Sequence, residues 1–140
     1  MDLDTVLLWL HISGNVVWIG SILAVGLAIT AVNVGDESTR GKLATAIYLR
    51  LAVPAFMASF VGGAVRLALH ARYYFVEHHW MHGKLVFALT VIAIHHVIGA
   101  RAKRLARGSV QGAGPTGILT GTLAVSAVVA AFFAIFKLPS

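Results

Sequence analysis

The stretch Thr5–Gly35, TVLLWLHISGNVVWIGSILAVGLAITAVNVG, contains no Asp, Glu, Lys or Arg. A membrane-spanning helix needs about 20 mostly apolar residues, so this run alone is long enough to cross a bilayer. Gly108–Phe136 is a second uncharged run of that kind. Two shorter ones, Leu51–Val65 and Leu85–Ala100, reach spanning length only by taking in flanking basic residues, which places Arg50, Arg66 and Lys84 inside spans or near their ends. There a long basic side chain snorkels, its stem apolar and its head among the lipid headgroups. The expected fold is all-α, a four-helix transmembrane bundle with helices at about 4–34, 42–71, 80–105 and 116–137. Its connections are 36–41, 72–80 and 108–116, and such short links favour an up-down-up-down order with helices one and three on a diagonal. Pro54 should kink helix two, because proline lacks the N–H of a helical hydrogen bond and clashes with the preceding turn. Gly62 and Gly63 allow a neighbouring helix to approach closely.

Composition agrees. The 140 residues are 59% hydrophobic and 11% charged, with a mean hydropathy of +0.86, whereas soluble domains carry about 25% charged residues. A single membrane domain spanning 1–140 is expected. Met1 is followed by Asp2 and Asp4 rather than by a basic segment, and the first apolar run is too long for a signal peptide, so helix one should be retained. The chain has no cysteine, which excludes disulfides, thiolate metal sites and covalently attached c-type haem. The net charge of +6 comes largely from Arg101-Ala-Lys-Arg-Leu-Ala-Arg107, which shares one side with Arg40 and Lys42. The other side carries Asp2, Asp4, Arg72, Glu77 and Lys137. The positive-inside rule makes the first side cytoplasmic and puts both termini on the non-cytoplasmic side. The basic cluster thus has a topological explanation, and nucleic acid is not an expected partner.

Against this apolar background the histidines stand out. Ionisable residues within spans usually face a bundle interior and mark a cofactor, ion or proton site. On helix one His11, Gly14, Trp18 and Ser21 recur at three- to four-residue spacing and share a stripe able to admit a flat ring. Ser59, Gly63, Arg66 and His70 form a similar stripe on helix two, with Arg66 placed to hold a carboxylate. On helix three His82 and Lys84 lie near the outer boundary, and His95, beside His96, lies about 17 to 20 Å deeper at the helical rise. One ring therefore cannot take both His82 and His95 as axial ligands. His11 sits about 10 Å below Asp4, nearer in depth to His82. The candidate haem pairs are His11 with His82 and His11 with His95; the structural alternative is that these histidines simply bond neighbouring helices. The same residues are the candidate metal ligands.

These segments resemble, collinearly and over most of the chain, the HemJ-type protoporphyrinogen oxidase family of small haem-binding membrane proteins. The resemblance rests on the His11–Trp18 segment, Pro54-Ala55, Trp80-Met-His-Gly-Lys-Leu85, His95 with Gly99 and the basic run after it, and Pro115 to Lys137. It implies a bundle of the bacterial inner membrane that binds haem b, oxidises protoporphyrinogen IX by six electrons, and passes them to a membrane acceptor such as quinone. His11, His82, His95, Trp18 and Arg66 would then serve the cofactor, and Lys84 would be the catalytic residue, meeting the carboxylates of a porphyrin or porphyrinogen. Leu27 and Val32 stand where the family usually carries an arginine and a histidine, and the family's Pro-x-Met element reads Pro54-Ala-Phe-Met57 here.

Two other classes compete. His78-His-Trp-Met-His82 offers imidazole and thioether ligands of the kind that suit copper, and the histidine-and-tryptophan helices look like those of CopD-type membrane proteins. Alternatively, small-residue faces such as Gly20, Ala24 and Ala28 would pack a non-catalytic, electron-transfer or structural subunit into a homo-oligomer or a larger membrane complex.

Overall fold

In the computed structural model the chain forms four helices long and apolar enough to cross a membrane: α1 (Leu3–Thr30), α2 (Glu37–Leu69), α3 (Trp80–Ala106) and α4 (Thr116–Phe136). The structure describes residues 1–33 and 35–136. Val34 and Lys137, the expected last residues of helices one and four, lie outside the described residues.

Each helix boundary has a local cause. Asp2 caps α1, its carboxylate accepting the Thr5 N–H at 2.7 Å, which satisfies one of the donors left free at a helix start. Asp36 does the same for α2, accepting the Thr39 N–H at 2.6 Å. Helix two therefore begins at Glu37 rather than at 42. Gly41, expected in the connection, lies within α2 instead, where a Cβ would collide with the Ala106 backbone of α3. Arg40 is buried and donates from Nη1 to the Ala31 carbonyl at 3.3 Å, just past the end of α1. A cation beside the last carbonyls of a helix is favourably placed against its dipole.

Helix α2 is not regular throughout. It is α-helical over Glu37–Ile47, widens into a π turn over Tyr48–Ala52, and resumes as α-helix over Val53–Leu69. Pro54 follows directly. Its missing N–H and its clash with the preceding turn are accommodated where the hydrogen-bond pattern has just been loosened. A second short π turn, Tyr73–Glu77, precedes α3.

The buried core is built by Ile22, Val25 and Ile29 of α1, Tyr48 and Ala52 of α2, Ile94, Ile98 and Ala102 of α3, and Leu123 of α4. Outside it, Trp9, Val16, Leu27, Val86, Leu89, Val125 and Val128 are exposed. So much apolar surface suits lipid as the surrounding medium. Helix α1 lies along α2 and α4, and α3 lies along α4 and the first part of α2. The second part, Val53–Leu69, lies along α1 and barely touches α3. Beyond Phe56, whose ring stacks on His95, α2 and α3 part company. One end of the bundle gathers Asp4, Arg66 and His70. The other joins Glu37 to the Gly112 N–H and Gly41 to Ala106.

Candidate functional site

His11 is held between α1 and α2. Its Nδ1–H donates to the Ser59 carbonyl at 2.9 Å, and the Ser59 hydroxyl donates back to the His11 carbonyl at 3.2 Å. A carbonyl only accepts, so the neutral ring keeps its proton on Nδ1 and presents a lone pair on Nε2. The neighbour of that nitrogen is Asn15, one turn on, whose Nδ2 lies 3.3 Å away. Glycines bring the helices this close: a Cβ on Gly62 would come 2.9 Å from the His11 backbone nitrogen, and one on Gly63 would come 2.6 Å from its Nδ1. A Cβ on Gly14 would likewise come 2.7 Å from the Ser59 backbone nitrogen. The small-residue stripe on α1, read in sequence as room for a flat ring, is thus filled by α2 itself.

His95 is arranged the opposite way. It is fully buried, and Trp18 donates its indole N–H to His95 Nδ1 at 3.0 Å. The neutral ring must therefore carry its proton on Nε2, and that buried nitrogen has no hydrogen-bond partner. Tyr48, Phe56, Trp18 and His96 surround it, with ring centroids 4.9 to 5.6 Å from its own. As it stands, His95 offers a donor where a metal would need a lone pair.

The remaining expected residues are dispersed. Arg66 is already engaged: Nε and Nη2 grip the Asp4 carboxylate at 2.8 and 3.0 Å, and His70 meets the same carboxylate at 3.1 Å. Two of the N–H donors of its guanidinium are thus committed to an internal ion pair, and the others remain for the expected cofactor carboxylate. His82 is exposed at the start of α3, donating from Nδ1 to the His79 carbonyl at 3.2 Å. That tautomer also leaves Nε2 as a lone pair. Lys84 is half-buried and makes no ion pair among the described residues. Arg66 follows Gly63, which packs on the His11 ring, by about one helical turn, and Lys84 lies near the level of His11 by the helical rise.

The structure therefore brings Trp18 and His95 together, and sets Lys84 and Arg66 near His11. It does not place His11, His82 and His95 in ring contact with one another. No three His, Asp or Glu side chains are grouped as for a metal ion among the described residues. His79 and His82 stack at 5.8 Å, while His78 packs on Tyr73. Leu27 and Val32, at the positions where the resembled family carries polar residues, are 66% and 72% exposed and face away from the bundle.

Haem b asks for an imidazole lone pair, apolar walls and cations for its propionates. His11 fits as a ligand, since a metal-binding histidine characteristically donates its other N–H to a fixed acceptor such as a backbone carbonyl. His82 fits by tautomer, and Lys84 by being uncommitted. His95, held by Trp18, presents an N–H rather than a lone pair, and Arg66 is shared with Asp4. Asp4, Asn15, Tyr48 and Phe56 were not singled out in the sequence. Asn15 was within reach of such a reading, being one helical turn from His11; the others meet their partners only through the tertiary fold.

No family model, no curated protein and no solved structure matches this chain.

Proposed function

We propose that this chain is a multi-pass redox protein of the bacterial inner membrane that binds haem b through His11, with His82 as the candidate second ligand. The observation that carries the reading is the fixed tautomer of His11, whose Nδ1–H is bound by the Ser59 carbonyl and whose Nε2 lone pair meets nothing stronger than the Asn15 amide at 3.3 Å. The ring would enter from the bilayer side, where the second part of α2 separates from α3. When bound, haem supplies one-electron chemistry, and the protein supplies ligation, orientation and charge.

The residues then divide the work. Ser59 and the close glycine contacts keep the His11 ring from turning. Lys84 is the free cation that would attract the carboxylates of a propionate or of a porphyrinogen, since a compact ammonium on a flexible stem suits a partly wet pocket. Arg66 instead ties α2 to Asp4 at the start of α1. The sequence resemblance to HemJ-type oxidases supports protoporphyrinogen IX as the substrate and a quinone as the electron acceptor.

The visible spectrum of the detergent-purified protein, before and after dithionite, tests this directly. The reading predicts a sharp b-type band on reduction. A colourless protein after expression with ample haem supply would overturn it. Rescue of a bacterium lacking its own protoporphyrinogen oxidase tests the catalytic part: failure by a haem-loaded, well-expressed protein would leave electron transfer as its role.

A further inference from the structure

At the end of the bundle away from Asp4, an open groove of about 320 Å³ runs between α2 and α3, lined by Thr45, Leu49, Lys103, Ala106 and Arg107. Its chemistry is uneven. Leu49 and Ala106 provide an apolar floor, while Lys103 and Arg107 stand on its α3 side without an acidic partner among the described residues. Lys103 is steadied from below, its ammonium 5.2 Å from the centre of the Tyr48 ring, a cation–π contact that positions the charge without neutralising it. The Thr45 hydroxyl is buried and has no hydrogen-bond partner. That hydroxyl is out of reach of the open groove, so the donors available to a ligand there are the two cations, Lys103 and Arg107.

Nearby acidic groups do not answer them. Glu37 pairs with Arg40 and accepts the Gly112 N–H, and Asp36 is spent on the cap of α2. What fits is a tetrahedral anion with an apolar tail: phosphate oxygens for Lys103 and Arg107, and an acyl chain along exposed Leu49. We propose that this groove is a specific site for the phosphodiester headgroup of an anionic phospholipid. The groove lies at the end of the candidate span α3, where Lys103 and Arg107 flank its last residue, Ala106, and basic pockets between spanning helices recognise anionic lipid heads. The proposal stands apart from haem binding, because none of the groove's lining residues is among those proposed to hold haem.

The experiment uses the full chain in nanodiscs of phosphatidylcholine, with phosphatidylglycerol titrated in and bound lipid counted by native mass spectrometry. The wild type should retain phosphatidylglycerol in preference to phosphatidylcholine. Lys103→Gln with Arg107→Gln should reduce that preference about tenfold or more, each surface cation contributing severalfold to the attraction. Lys42→Gln with Arg50→Gln removes two exposed cations outside the groove and should leave the preference intact. If that control pair lowers retention as much as the groove pair, the attraction is diffuse and the site is refuted. An equal thermal stabilisation by inorganic phosphate in pure phosphatidylcholine discs would refute the lipid as occupant.

Discussion

Two imidazoles with the same chemistry are set to opposite tasks by their neighbours. His11 donates its Nδ1–H to a carbonyl and keeps a lone pair on Nε2, whereas His95 accepts the Trp18 indole N–H and is left with an unpaired N–H. The Trp18 bond holds His95 in its aromatic surround, so Trp18→Phe should cost about 1 kcal/mol of stability, the order found for hydrogen bonds between membrane helices. A thermal melt in detergent measures it; no change in melting temperature would mean that ring packing alone holds His95. Lys84→Ala should act differently. The Lys84 ammonium is proposed to meet the carboxylates of a propionate or of the substrate, so this variant should lose more of its protoporphyrinogen oxidation than of its haem. Equal loss of haem and activity would make Lys84 a structural cation. Much of this was legible in sequence as candidate residues but not as roles. Arg66 reads as a free cation because Asp4 lies so far away along the chain, yet the two form a bidentate pair. The decisive partner of His11 is a backbone carbonyl, which no residue type announces.

At the level of helices, α1 and α2 approach through glycine, and only some of the glycines carry that contact. Gly14→Ala would drive a methyl to 2.7 Å from the Ser59 nitrogen, whereas the space around Gly20 is open within 4 Å. Gly14→Ala should therefore destabilise the bundle by about 1 to 3 kcal/mol through overpacking, and it should also disturb the Ser59 carbonyl that fixes His11. Gly20→Ala should be neutral or slightly stabilising, because alanine favours the helix by up to about 1 kcal/mol. Comparable melting temperatures for the two variants would contradict the close-contact account. The caps bring a pH dependence. Hydrogen bonds from Thr5 and Thr39 hold the Asp2 and Asp36 carboxyls below the ordinary value of 3.8. A carboxyl lowered by folding contributes stability that is present above its unfolded pKa and is lost as pH falls through the lower folded value. Asp36→Asn should flatten the acid limb of a stability-against-pH curve below about pH 4. Helix existence was readable from uncharged length alone. The early start of α2 was not, because Gly41 reads as a loop residue until Ala106 is seen packed against it, and the π turn at Tyr48–Ala52 appears in sequence only as the nearby Pro54.

For the molecule as a whole, the membrane sets what composition can reveal. An apolar exterior and an apolar core look alike in sequence, which is why four spans are evident while the packing order, the gap between α2 and α3 and the basic groove emerge only from tertiary contacts. Orientation follows from charge: Arg40, Lys42, Arg101, Lys103, Arg104 and Arg107 should face the cytoplasm, with both termini outside. A reporter fused after Ser140 that is active only in the cytoplasm would contradict that arrangement. The central claim concerns which histidine holds iron, and the haem stoichiometry of two purified variants tests it most directly. The account predicts that His11→Ala is recovered folded but without haem, while His95→Ala, which leaves the His11 lone pair in place, still carries it. Full haem loading in His11→Ala together with its loss in His95→Ala would contradict the account.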